Sequence, residues 1–265
     1  MIEAHILASG STGNALFFVL GHTRILVDFG ISTKRLRESL DQLGHSISQL
    51  DGIFITHEHT DHVRGLNTFL RQYGGQIPVF ARAGTLARLP GGADCIGSLY
   101  QEINGQASLA GVDIESFDIQ HDAAEPVGYK MTYRGKKVVC ATDLGCVTPG
   151  VREALSDADI LVFEANHDQQ MLDHGPYPYH LKQRVRSNKG HLSNMDAAWT
   201  LARLPEKKNR DVFLAHLSQH NNSPEMAVET ISEILSQEGY SIGKEFNLHL
   251  TWPDRIVSSS WKTGK

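Results

Sequence analysis

Cysteine is scarce in this 265-residue chain, and long hydrophobic runs are missing. The three cysteines, Cys95, Cys140 and Cys146, form no C-x-x-C pair, which argues against a disulfide framework or a thiolate metal site. No stretch of about 18 uncharged apolar residues occurs, so we expect no membrane span. Met1 to His5 lacks the basic region of a signal peptide, so we expect a cytoplasmic protein.

An excess of positive charge is also missing. The chain has 25 Lys and Arg against 30 Asp and Glu, which gives a formal net charge of −5. Binding to nucleic acid through net charge alone is therefore not expected, although a local basic patch could still bind it. No linker rich in Gly, Ser or Pro divides the chain, so residues 1–265 are predicted to form one domain. Nothing in the sequence indicates an obligate protein partner.

Apolar periodicity predicts the class of fold. Short apolar runs typical of strands include Ala15–Leu20 and Val127–Tyr133, whereas Leu36, Leu40 and Leu43 recur at helical spacing. A second helix is predicted from Val63 through Tyr73, ending at the glycines 74 and 75. Both halves of the chain are rich in strands and contain helices. We therefore predict an α/β sandwich of two sheets with helices on both outer faces.

The chemistry of the chain is concentrated in a loop directly after a predicted strand. His57-x-His59-x-Asp61-His62 places four potential metal ligands within six positions. In an extended segment residues two apart point the same way, so His57 and His59 can reach one cation. Asp61 and His62, beyond the turn, can reach a second. Imidazole and carboxylate together suit zinc, manganese and similar divalent ions.

Further polar residues stand where other predicted strands end. Asp28, His121, Asp143, Glu164 and His216 each follow or close an apolar run. Alone, each is more often a polar residue at a strand end than a ligand. Together, His121, Asp143 and His216 supply what the histidine loop lacks, because one loop cannot complete two metal sites.

The order of these motifs resembles the metallo-β-lactamase superfamily over nearly the whole chain. The resemblance implies the αββα sandwich and a metal-activated water between two divalent cations, zinc or manganese. It implies that His57, His59 and His121 hold one cation. Asp61, His62 and His216 would hold the other, Asp143 would bridge both, Asp28 would orient the histidine loop, and Asp61 would hold or accept the proton of the water.

Two further motifs bear on the substrate. Glu164–Asp168 and Gly190–Asn194 resemble those of the tRNA 3′-processing nuclease branch, which implies that Glu164 orients His191 and that His191 binds or protonates at the scissile phosphate. The alternative is that His191 caps a helix and Glu164 is a buried strand-end acid. Residues predicted to contact phosphate or nucleic acid are Ser9, Ser11, Asn14, Tyr177, Lys182, Arg184, Arg186, Lys189, Ser218 and Asn222.

The full motif series is similar to the YycJ/WalJ/VicX family of bacterial cytoplasmic proteins. It comprises Ala8–Asn14, Thr56–His62, His121–Ala123, Thr142–Gly145, Glu164–Asp168, Gly190–Asn194 and Leu214–Ser218. The family resemblance implies 5′→3′ exonuclease activity on DNA that has a 5′ end. The alternatives are a thioester or lactone hydrolase, an RNA-processing nuclease, or a non-catalytic metal-containing regulatory protein.

Overall fold

The computed structural model describes residues 1–73, 75–90 and 99–261, so Cys95 and Gly74 lie outside the described ranges. In this part of the chain two mixed sheets of seven strands each are present. The strands are, in chain order, β1 (Ile2–Ala8), β2 (Ala15–Leu20), β3 (Thr23–Val27), β4 (Gly52–Phe54), β5 (Val79–Ala81), β6 (Tyr100–Glu102), β7 (Gln106–Leu109), β8 (Val112–Asp118), β9 (Val127–Tyr133), β10 (Lys136–Ala141), β11 (Ile160–Glu164), β12 (Arg210–Ala215), β13 (Phe246–Leu250) and β14 (Val257–Trp261).

The two sheets have matching topologies. The first has the order β14-β1-β2-β3-β4-β5-β6, and the second has the order β13-β12-β11-β10-β9-β8-β7. In each sheet the strands on one side pair antiparallel and those on the other side pair parallel. The parallel part begins with β3–β4 in the first sheet and with β10–β11 in the second. Strand β14, the last of the described chain, pairs antiparallel with β1, so the first and last described strands lie side by side in one sheet.

Helices cover both outer faces of this sandwich. They are α1 (Thr33–Gln42), α2 (Thr60–Val63), α3 (Leu66–Tyr73), α4 (Ala83–Leu86), α5 (Pro149–Ser156), α6 (Gln169–His174), α7 (Tyr179–Arg186), α8 (Asn194–Ala202) and α9 (Pro224–Gln237). Capping hydroxyls define several starts, since Ser32 accepts the N–H of Arg35 before α1 and Ser193 accepts that of Asp196 before α8. In the described part of the chain no helix is long and apolar enough to cross a lipid bilayer.

The buried apolar side chains fall into three layers. Between the sheets, Phe18 and Phe54 pack with Tyr129 and Phe213. Leu36 and Leu40 of α1 are buried on the outer face of the first sheet, and α5, α8 and α9 bury their apolar residues on the outer face of the second. The αββα sandwich predicted from the sequence is therefore confirmed.

One predicted helix is divided. The sequence indicates a continuous helix from Val63 to Tyr73, but the structure separates α2 from α3 at Arg64 and Gly65. A Cβ atom on Gly65 would lie 2.0 Å from the carbonyl oxygen of Ile31. Glycine is therefore required at position 65, where the chain passes this neighbouring loop. Because the helix is interrupted here, the histidine loop continues into a separate short helix, α2.

Three strands end in a strained turn that begins the functional loops. Asp28 after β3, Asp143 after β10 and His216 after β12 have φ angles of 63°, 60° and 57°. A residue with a side chain in this left-handed region costs of order 1–3 kcal/mol, and such strain concentrates at functional sites. Each of these polar side chains therefore stands in a fixed place at the sheet edge.

Candidate metal centre

A cavity of about 290 Å³ opens where these strands end. It collects side chains from loops that are far apart in sequence, because the strand ends of both sheets meet at this edge. Its walls are Ser11, His59, Asp61, His121, Asp143, Asn166, Tyr177, Leu181, Arg184, Val185, His191, His216 and Ser218. His57 and His62 are completely buried beneath it.

Three histidines form the first potential ligand group. One nitrogen from each of His57, His59 and His121 lies within 4.8 Å of the others. Nδ1 of His59 is 3.3 Å from Nε2 of His121. The other ring nitrogen of His121 donates its proton to the carbonyl oxygen of Gly190 at 3.2 Å, so Nε2 presents a lone pair toward the group. Three imidazole nitrogens this close together suit a divalent cation.

A second group combines a carboxylate with two histidines. One ligand atom from each of Asp61, His62 and His216 lies within 4.8 Å of the others. A further combination of His57, His62 and Asp143 meets the same distance limit, so Asp143 stands between the two groups. Asp143 is 2% exposed, and the potential ligands on either side of it come from three separate loops.

Hydrogen bonds behind the histidines select which ring nitrogen faces the cavity. Nδ1–H of His62 donates to Oδ2 of Asp28 at 2.7 Å, so Nε2 carries a lone pair, which lies 3.1 Å from Nδ2 of Asn14 within the ligand group. The hydroxyl of Thr56 donates to Asp28 and therefore accepts from Nδ1–H of His57 at 3.0 Å. Asp28 thus orients two histidines at once, directly and through Thr56.

The ionisable side chains of the two ligand groups lie close enough to shift one another's pKa values. Burial opposes the charged form of His62, but the carboxylates of Asp28 and Asp143 outweigh it and raise the pKa of His62 well above its ordinary value. Burial and the neighbouring His62 lower the pKa of His57. Burial alone would raise the pKa of Asp143, but His216 and His62 hold it well below its ordinary value. The cluster therefore favours ionised carboxylates facing positive charge.

These residues fit divalent cations. In the described part of the chain, Nε2 of His57, Nε2 of His216 and one carboxylate oxygen of Asp143 are buried without a hydrogen-bond partner. Leaving such atoms unsatisfied is costly, and a cation at each ligand group would satisfy them. The donor set of imidazole nitrogens and carboxylate oxygens has the chemistry expected for zinc or manganese.

A carboxylate at the end of β11 connects the second ligand group to another histidine. Oε1 of Glu164 accepts Nδ1–H of His191 at 2.8 Å and Nδ1–H of His216 at 3.0 Å. Oε2 accepts the backbone N–H groups of Leu144 at 2.6 Å and Leu192 at 3.2 Å. Burial would raise the pKa of Glu164, but the histidines, above all His191, lower it to about 2.

The ring of His191 forms part of the cavity wall. Glu164 binds its Nδ1–H and leaves Nε2 for another partner. The helix that follows is capped by Ser193, so capping does not account for His191. It belongs to neither of the two ligand groups above, but one of its ring nitrogens lies within 4.8 Å of potential ligand atoms of Asp143, Glu164 and His216. A histidine so held can donate a proton or a hydrogen bond to a molecule in the cavity.

The Ser/Gly loop between β1 and β2 supports the centre from one side. Ser9 is buried and its hydroxyl accepts the backbone N–H of His216 at 2.8 Å. Nδ2 of Asn14 donates to Oδ2 of Asp61 at 3.2 Å. Ser11 is exposed and lines the cavity. Ser9 and Asn14, predicted to contact phosphate, therefore hold candidate ligand residues in place, whereas Ser11 faces the cavity.

The predicted basic run lies on α7 and in the loop after it. Arg184 and Tyr177 line the cavity. Lys182 donates to the carbonyl of Asp173 at 2.7 Å, and Arg186 forms an ion pair with the carboxylate of Asp173. Both side chains are therefore engaged by this residue of α6. Lys189 is exposed and lies outside the cavity lining.

The last two predicted contacts differ in position. Ser218 lines the cavity, with its hydroxyl accepting the N–H of Asn221 at 3.2 Å. Asn222 is buried, and its amide donates to the carbonyl oxygens of Ala165 and Asn166. Asn222 therefore joins loops behind the cavity.

Two residues of the site were assigned no role from the sequence. Asp122 forms an ion pair with Arg184 at 2.7 Å beside the cavity mouth, and it follows the candidate ligand His121 directly. Asn166 lines the cavity and donates to the carbonyl oxygen of His216 at 2.7 Å. Both lie inside motifs noted in the sequence, but their partners come from distant segments, helix α7 and the loop after β12.

The chain is similar to known proteins in sequence and in fold. The model of the family described as "Beta-lactamase superfamily domain" matches residues 23–217. The chain is 36% identical over 251 residues to exodeoxyribonuclease YycJ of Bacillus anthracis, covering 94% of each chain. It is 35% identical over 254 residues to exodeoxyribonuclease WalJ of Streptococcus pneumoniae, again covering 94% of each. The metallo-β-lactamase fold protein YhfI of Bacillus subtilis superimposes with a TM-score of 0.68 at 14% identity, over 97% of this chain and 99% of that one.

The four-layer sandwich and the ligand groups at its strand ends define an enzyme of the metallo-β-lactamase hydrolase superfamily. Within the superfamily, identity of 35–36% over 94% of the chain is enough to assign the chain to one family. The chain belongs to the YycJ/WalJ family, as its motif series predicted.

Proposed function

We propose that this protein is a metal-dependent exodeoxyribonuclease that degrades DNA from a 5′ end. The observation that carries the proposal is the presence, around one cavity, of two ligand groups and a further histidine, His191, held by a buried carboxylate. Relatives over 94% of the chain are named exodeoxyribonucleases, which supports DNA as the substrate. A thioester or lactone hydrolase would have no evident use for the Glu164–His191 pair.

The ligands divide into two sets around a shared carboxylate. His57, His59 and His121 would hold one divalent cation, and Asp61, His62 and His216 a second, with Asp143 between them. Zinc and manganese both suit these donors. When bound, two such cations lower the pKa of a water molecule and stabilise negative charge on a phosphodiester.

The protein's own residues would position and protonate the substrate. Asp61 lies in the cavity wall, where its carboxylate can accept the proton of the attacking water. Glu164 fixes the ring of His191 through Nδ1–H, so Nε2 of His191 can supply a proton to the leaving oxygen. Asp28 keeps the ligand histidines in the correct tautomer.

The cavity mouth carries groups suited to a DNA strand. Arg184, Ser11 and Ser218 offer donors for phosphate oxygens, and the ring of Tyr177 offers a stacking surface beside them. The ion pair with Asp122 keeps the guanidinium of Arg184 over the mouth. The compartment we propose is the cytoplasm, where DNA is present, and the reaction as drawn needs no protein partner.

The proposal is tested by incubating the purified protein with DNA and RNA labelled at either end, with manganese, zinc or a chelator. We expect nucleotides to be released stepwise from the 5′ end of DNA only when metal is present. His59→Ala and Asp143→Ala should abolish cleavage and lower the metal content. Cleavage unaffected by the chelator, or turnover of a thioester without any cleavage of DNA, would contradict the proposal.

A further inference from the structure

A second cavity, of about 370 Å³, adjoins the metal cavity. The two share Ser218 as a lining residue, so the Ser218 loop forms part of both walls. The walls of the second cavity are mainly apolar and include Leu217, Pro224, Trp252 and Pro253. Nothing in the proposed reaction uses this space.

The second cavity is rigidly tied to the metal centre. The backbone N–H of Ser9 donates to the carbonyl oxygen of Trp252 at 3.0 Å, and the hydroxyl of Ser9 accepts the N–H of His216. Thr251, just before the tryptophan, donates to the carbonyl oxygen of Leu214 at 2.8 Å. Two short hydrogen-bonded links therefore hold Trp252 at a constant place relative to a candidate metal ligand.

The lining favours a flat aromatic ligand that carries nearby negative charge. The half-buried indole of Trp252 has the guanidinium of Arg255 over its ring, 4.1 Å from the centroid. The side chain of Arg255 is 62% exposed and forms a long ion pair, 3.7 Å, with the exposed carboxylate of Asp254 in the same lining, a contact that it can exchange for a phosphate at the rim. Ser218 and Gln219 supply hydrogen-bonding groups at the border. A volume near the lower end of the range for small-molecule pockets suits one nucleoside.

We propose that this second cavity binds the base of a nucleotide adjoining the scissile phosphate, stacked on Trp252. The inference rests on the proposed nuclease function, because the shared residue Ser218 would contact the phosphodiester that enters the metal cavity. Stacking on an aromatic ring accepts any base, which suits an enzyme that must remove nucleotides without regard to sequence. Arg255 would then contact the backbone phosphate beside the stacked base.

The test compares Trp252→Ala and Trp252→Phe with the unaltered metal-loaded enzyme. Substrates are end-labelled DNA, the same DNA with a single abasic nucleotide at successive positions from the 5′ end, and bis(p-nitrophenyl) phosphate, which has no base. We expect Trp252→Ala to raise KM for DNA roughly tenfold or more. Its turnover of the base-free ester should be unchanged, and Trp252→Phe should keep most of the affinity because a ring remains.

A matched control is available in Trp199, which also lies beside a guanidinium, that of Arg203 at 5.3 Å. Its cavity shares no lining residue with the metal cavity, so Trp199→Phe should leave KM for DNA unchanged.

The abasic substrates give the second readout, which needs no variant. The unaltered enzyme should be slowed by an abasic site at one position, and Trp252→Ala should lose that sensitivity. Equal KM values for DNA in Trp252→Ala and the unaltered enzyme would overturn the inference. Indifference of the unaltered enzyme to abasic sites at every position would do the same. Failure of the unaltered enzyme to cleave any DNA would instead refute the proposed function, and this inference with it.

Discussion

Glu164→Gln is the substitution that most directly tests the architecture of the centre. Glu164 is fully buried and accepts four hydrogen bonds, two from histidines and two from backbone N–H groups. Glutamine has the same shape, but one of its two terminal atoms is an NH₂ group that cannot accept. One pair of donors therefore loses its acceptor, whichever way the amide turns.

The expected size of the effect follows from how strongly the site favours the ionised form of Glu164. Burial would raise its pKa, but His191 and His216 lower it from 4.5 to about 2. That difference corresponds to roughly 3 kcal/mol of preference for the carboxylate form. Removing a carboxylate that orients a metal-binding histidine typically costs about 10- to 100-fold in metal affinity or activity. We expect a loss of at least this size in kcat, because Glu164 holds both His216 and His191.

Two assays separate these effects. Competition with a chromogenic chelator measures metal affinity, and release of label from 5′-labelled DNA measures kcat. Glu164→Gln should weaken both, whereas His191→Ala should lower kcat and leave metal affinity unchanged. Glu115→Gln is a matched control, since Glu115 is 40% exposed and pairs with Lys130 on the sheet surface. Wild-type metal affinity and wild-type kcat in Glu164→Gln would refute the reasoning.

Three other substitutions give independent checks. Asp28→Asn should weaken metal binding about 10- to 100-fold, measured by chelator competition, and unchanged affinity would count against its orienting role. Gly30→Ala would place a Cβ 1.6 Å from a backbone carbonyl of the histidine loop, so it should lower the free energy of unfolding by about 1–3 kcal/mol, measured as a fall in Tm. In the control Gly150→Ala the new Cβ meets nothing closer than 3.9 Å, so Tm should not change. Burial opposes ionisation of Asp211, but hydrogen bonds, the largest contribution coming from His249 and smaller ones from Ser259 and Trp261, lower its pKa from 3.8 to about 2. Its stabilisation is complete above pH 3.8 and is lost as pH falls through about 2, so Asp211→Asn should cost about 2 kcal/mol in urea unfolding at pH 7 and progressively less below pH 3.8. An equal difference at pH 7 and at the acid end would contradict this assignment.

Much of the fold could be predicted because its strongest signals are local. The central strands β9 and β12 are apolar runs bounded by turn residues, and the cap of α1 is a serine followed by helical spacing. Strands such as β6 and β14 were not predicted. They are short or alternate with polar residues, as in Val257–Trp261, and become strands only because β5 and β1 offer hydrogen-bonding edges.

The candidate site divides in the same way. The histidine loop can be predicted from its own spacing, and the strand-end acids from their position after apolar runs. The engagement of Arg186 with Asp173 could not, because charge in a sequence does not show which ion pairs satisfy it. The division of the long predicted helix at Gly65 likewise depends on a loop more than 30 positions earlier in the chain.

By itself the sequence determined the family, the order of strands that carry ligands, and the residue types that can hold divalent cations, because these depend on neighbours along the chain. Only the tertiary structure decided which ring nitrogen of each histidine faces the cavity, that one carboxylate holds both His191 and His216, and that Trp252 lies beside the metal cavity. Those features are hydrogen bonds and walls shared by segments up to about 240 positions apart, from Ser9 to Trp252, and they exist only when the two sheets have packed.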